Sequence, residues 1–129
     1  MMMVMLPPGS PESFLGDLEG KRVFIWTCST CARFCNAGGK EIAEETAEYL
    51  AGKGVCVTGV RAVSAACFMS KAAGALSDLP GTDVILALCC SIGADCASRA
   101  SGIPVLNPVR TLGTGYLGED GIPRLSAHK

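Results

Sequence analysis

Short apolar runs alternate with amphipathic stretches along most of this chain, and that alternation limits the fold more than any other feature. Arg22 to Thr27, Val55 to Val60, Asp83 to Leu88 and Pro104-Val105-Leu106 have the length and the branched or aromatic content of strands. Helical patterns lie between them. Lys40 to Ala51 puts Ile42, Ala43, Thr46, Tyr49 and Leu50 on one face and Glu41, Glu44, Glu45 and Glu48 on the other, with Gly52 and Gly54 to end it. Phe68 to Leu76 is alanine-rich and packs through Phe68, Met69, Ala72, Ala73 and Leu76; Ile92 to Ala100 closes at Gly102. Asp83 to Leu88 is apolar almost throughout, as a strand covered on both faces is. The pattern predicts an α/β fold. It is a single-domain, Rossmann/flavodoxin-like open parallel sheet of about four strands with helices on both faces. Leu79-Pro80-Gly81 reads as a turn, and the glycine-rich segment Gly113 to Gly118 as irregular.

A chain of 129 residues fits one domain and buries about two thirds of its unfolded surface, so it folds without needing disulfides or a metal. Met1 to Met5 is apolar but too short for a membrane span. It lacks the basic region and cleavage site of a secretion signal, and Pro7-Pro8 follow it. Residues 1–17 are therefore expected to be a flexible N-terminal tail, and residues 18–129 a single α/β metal-binding domain. A net charge of −1 with no basic face gives nucleic acid no electrostatic handle. Eight cysteines without a secretion signal point to the reducing cytoplasm, where metal or redox roles outweigh disulfides. The one histidine, His128, lies in the tail of the chain, so any metal would be held mostly by sulfur, which selects zinc or an iron–sulfur cluster.

Cys28, Cys31 and Cys35 form a C-x2-C-x3-C loop directly after the first strand. Open α/β sheets collect their ligands beyond the carboxyl ends of the strands. On that rule Cys67, in the loop after the second strand, and Cys89-Cys90, at the end of the third, reach the same rim. Cys56, alternating with Val55 and Val57, and Cys96, on a helical face with Ile92, Ala97 and Ala100, read as core. Three thiolates from one loop and a fourth from elsewhere suit a cubane cluster. Zinc more often takes two separated knuckles or a cysteine–histidine mix, but is compatible with Cys67 or Cys90 as fourth ligand. Free thiols would not gather six on one rim, where they invite oxidation. Thiol–disulfide chemistry through Cys28 and Cys31 lacks a helix start directly after Cys28 to lower its pKa. Gly38 and Gly39 either let the backbone approach a cofactor or simply start the helix. The glutamate run is a solvated helix face, and Trp26 either shields the centre or packs in the core. No dinucleotide fingerprint, P-loop or hydrolytic constellation is present.

Val23-Phe24-Ile25-Trp26-Thr27, the C-x2-C-x3-C loop and Asn36-Ala37-Gly38-Gly39-Lys40-Glu41-Ile42 resemble the start of the small accessory subunit of anaerobic methylenetetrahydrofolate reductases. Cys67, Cys90 with Gly93, Gly102 with Pro104, and Tyr116-Leu117-Gly118 continue that resemblance in order, over about residues 21–118. It implies a non-catalytic iron–sulfur or zinc subunit of an oxidoreductase complex, paired with a flavoprotein in one-carbon metabolism. It also implies a metal set drawn from Cys28, Cys31, Cys35, Cys67 and Cys90, with Cys67 favoured as the fourth ligand of a [4Fe–4S] cluster. Thr27 and Ser29 stand where the family has glycines, and Cys89 is an extra. The family's second cysteine-rich half has no counterpart here, so one metal site is expected.

Overall fold

A computed structural model describes residues 2–77, 79 and 81–126; Pro80 of the expected turn and His128 lie outside the described residues. The parallel sheet is built from β2 (Arg22–Cys28), β3 (Cys56–Val63), β4 (Val84–Leu88) and β5 (Val105–Leu106), in the order β3-β2-β4-β5. The connecting helices are α3 (Lys40–Gly52), α4 (Met69–Leu76) and α5 (Ser91–Ser101). Two shorter helices, α1 (Glu12–Leu15) and α2 (Cys31–Phe34), flank β2.

Side chains on β2 and β4 alternate between two cores, which is why both strands read as continuous apolar runs. Val23 and Ile25 of β2, with Val84, Leu86 and Leu88 of β4, pack with Ala43 and Leu50 of α3 and with Phe14 and Leu18. Trp26 and Cys28 of β2, with Ile85 and Ala87 of β4, pack with Ala72 and Leu76 of α4 and Ala94, Cys96 and Ala97 of α5. Strands β3 and β4 lie on opposite sides of β2. Right-handed crossovers therefore put α3 on one face and α4 and α5 on the other. Helix α3 ends at Gly54, whose φ of +86° suits the left-handed turn of a Schellman motif. There Val55 N–H reaches Leu50 O at 3.0 Å and Gly54 N–H reaches Ala51 O at 3.1 Å.

The expected tail and the expected irregular segment are both corrected. Residues Met2–Leu6 form β1, which pairs antiparallel with β6 (Arg110–Leu117); β6 in turn pairs with β7 (Pro123–Leu125). This second, three-stranded sheet lies in the order β1-β6-β7, and Val4 and Met5 of β1 are buried in the α4–α5 core. The apolar start of the chain thus finds its partner near residue 115, beyond the reach of any local pattern. Two packing expectations also change. Cys56 is exposed because β3 is an edge strand, whereas Cys96 is buried as expected. Phe68, Met69 and Ala73 stay exposed, and α4 packs through Ala72 and Leu76, one helical turn apart, with the half-buried Ala75 beside them. Among the described residues no helix is long and apolar enough to cross a membrane.

Candidate metal centre

The strand order reverses between β2 and β4, so the loops leaving their carboxyl ends go to opposite faces and open a crevice there. Thr27 ties this point together. Fully buried at the end of β2, it donates its hydroxyl to Leu88 O of β4 at 2.7 Å and accepts Gly39 N–H, at the start of α3, at 2.8 Å. Gly38 lies against the same pair. A Cβ there would stand 2.5 Å from Thr27 Oγ1 and closer still to Leu88 O. The close approach permitted by Gly38 is therefore to the chain's own backbone. Gly38 and Gly39 line a cavity of about 390 Å³ with Arg33 and Lys40, separate from the thiols.

The thiols gather beside this clamp, on the α4–α5 side. Cys28, Cys31, Cys67 and Cys90 line one cavity of about 270 Å³, together with Met3, Met5, Thr30, Ala32, Ala65 and Ala66. Each cysteine arrives on a different element: Cys28 ends β2, Cys31 begins α2, Cys67 lies in the loop before α4, and Cys90 caps α5. No histidine or carboxylate lines the cavity.

Burial pushes the Cys28 thiol up, but its hydrogen bonds outweigh burial and hold its pKa below the ordinary value. The Thr30 hydroxyl stands 2.9 Å from Cys28 Sγ, and the backbone N–H groups of Ala66, Thr30 and Ala32 also point at that sulfur. Thr30 is itself held by Ala65 N–H at 3.3 Å, from a residue with the left-handed φ of 54°. Burial raises Cys90, opposed by the N–H groups of Gly93 and Ile92 in the first turn of α5. Cys89 is fully buried beneath the rim, and burial keeps it a neutral thiol. Cys96 donates to Cys67 O at 3.4 Å and so braces the loop that carries Cys67.

Cys35 stands apart. It borders a different groove with Val4, Leu6, Phe34 and Leu112, and burial raises its pKa. Cys28 ends β2 and Cys31–Phe34 form a helical turn rather than an open loop, which puts Cys35 at its C-terminal end against Met3 O of β1. Both Cys67 and Cys90 join the cavity, and Cys35 is the one set aside. Trp26 packs in the core on the thiol side, fully buried, with its indole N–H unpartnered.

No family model, curated protein or solved structure matches this chain.

Among the described residues no three Cys, His, Asp or Glu side chains converge closely enough to hold a single metal ion. Zinc draws its sulfurs to about 2.3 Å from one point. The four thiols here instead occupy the walls of a cavity. An all-sulfur donor set spread over walls suits a polynuclear cluster, whose corners take one thiolate each.

Proposed function

We propose that this chain is a small iron–sulfur protein, the electron-transferring accessory subunit of a cytoplasmic redox complex, with Cys28, Cys31, Cys67 and Cys90 as the ligands of a [4Fe–4S] cluster. The observation that carries this reading is the convergence of those four thiols, from four separate elements, on one cavity without nitrogen or oxygen ligands. A bound cluster supplies one-electron transfer. The chain's residues do the rest. Thr30 and the Ala66 amide orient Cys28 sulfur, the first turn of α5 faces Cys90 sulfur, and the Thr27 clamp holds the ends of β2 and β4 in register. The resemblance to the reductase accessory subunits supplies the partner, a flavoprotein of the methylenetetrahydrofolate reductase type, and the Rossmann/flavodoxin-like reading of the parallel sheet accords with it.

Anaerobic purification followed by iron, sulfide and zinc analysis tests the proposal. About four irons and four sulfides per chain are expected. Stoichiometric zinc without iron would replace this reading with a zinc-stabilised interaction module.

A further inference from the structure

We propose that strand β1 is a wall of this site, with the Met3 main-chain N–H as a positioning donor to Cys31 sulfur; the inference rests on reading Cys31 as a ligand. An edge strand normally offers its outer backbone groups to water or to another strand. In the order β1-β6-β7, β1 gives one edge to β6. Its other edge meets α2. Met3 N–H donates to Cys31 Sγ at 3.3 Å, Cys35 Sγ donates to Met3 O at 3.8 Å, and the Met5 amide points at Cys35. Met3 and Met5 also line the thiol cavity itself. The outer backbone groups of the strand are thus spent on two thiols of one helical turn. An N–H directed at sulfur stabilises negative charge there, which favours the reduced state of a thiolate-held centre and raises its potential.

The test compares Met3→Pro with Met3→Leu. Met3 N–H faces Cys31, so proline deletes that donor without removing a bond to β6, and an outward-facing edge position tolerates it. In metal-free, reduced protein at a pH alkaline enough to keep the thiols fully as thiolates, iodoacetamide should label Cys31 roughly two- to tenfold faster in Met3→Pro, the factor matching one hydrogen bond that no longer holds the sulfur. Met3→Leu should label like the parent, and exposed Cys56 should be unaffected in both. In iron-loaded protein the midpoint potential should fall in Met3→Pro and be retained in Met3→Leu. A reciprocal measurement leaves β1 intact: Cys31→Ala should speed hydrogen exchange at the Met3 amide. Equal labelling of the two Met3 variants, or a Met3 amide whose exchange ignores Cys31→Ala, would overturn the inference. A chain without iron would overturn the functional proposal instead, while labelling and exchange would still decide the role of β1.

Discussion

Replacing Thr27 by valine isolates the clamp at the rim. The substitution keeps the shape of the side chain and removes one oxygen. That oxygen donates to Leu88 O and accepts Gly39 N–H, both at ordinary hydrogen-bond length in a fully buried position. Losing it strands a buried donor and a buried acceptor, at roughly 1–3 kcal/mol each. The Leu88 carbonyl sits at the low end because it has a second lone pair. The extra methyl of valine returns about 0.8 kcal/mol. The net loss is about 1–3 kcal/mol. Thr27→Ser keeps both hydrogen bonds and forfeits one methyl, at about 1 kcal/mol. Urea unfolding followed by circular dichroism should rank the parent above Thr27→Ser and Thr27→Ser above Thr27→Val, with unchanged slope. A valine variant as stable as the serine variant would show that the hydroxyl does not hold β2, β4 and α3 together.

Other outcomes follow from the same geometry. Serine at Cys28, Cys31, Cys67 or Cys90 should each strip most of the iron by metal analysis, whereas Cys35→Ser and Cys56→Ser should keep it. Gly93→Ala would place a Cβ 2.9 Å from Cys89 Sγ and cost about 1–3 kcal/mol in a denaturation midpoint; Cys89→Ala in the same chain should recover most of that. Asp83 is held down to about 2 by its hydrogen bonds to Arg22, so the stabilisation it gives is present above the ordinary carboxylate range and lost as pH falls from about 4 towards 2. Asp83→Asn should flatten the acid limb of a stability–pH curve, and an unchanged limb would count against this ion pair.

The parallel sheet was legible because its signals are local. β2 and β4 are apolar on both faces, and α3 separates Leu50 from Glu48 within one turn. The rule for strand ends then sent Cys28, Cys67 and Cys90 to one rim without knowledge of any contact. The second sheet was not legible, because β1 and β6 recognise each other across most of the chain. Its glycines also mislead. Gly115 reads as a breaker, yet a Cβ there would meet the Arg124 carbonyl and stand 2.6 Å from Val4, so close strand packing demands it. Cys35, expected on the same rim, borders a different groove. Its spacing from Cys31 is one helical turn, and only the position of β1 shows that the turn carries it out of the cavity. Thr27, Thr30 and the amides of Ala65 and Ala66 carry no sequence signature. Their role comes from where the backbone puts them.

The pairing of β1 with β6 also orders events during synthesis. Everything needed for the parallel sheet, and with it Cys28, Cys31, Cys67 and Cys90, has been made once β5 is complete. β1 is made first but cannot pair until β6 follows, and bringing the ends of so long a loop together is entropically slow. The four thiols are thus all present in the chain before β1 can pair with β6 and cover their outer side. If the chain carries the proposed cluster, that interval is when the site can be loaded, and the pairing of β1 with β6 is the event that shuts it.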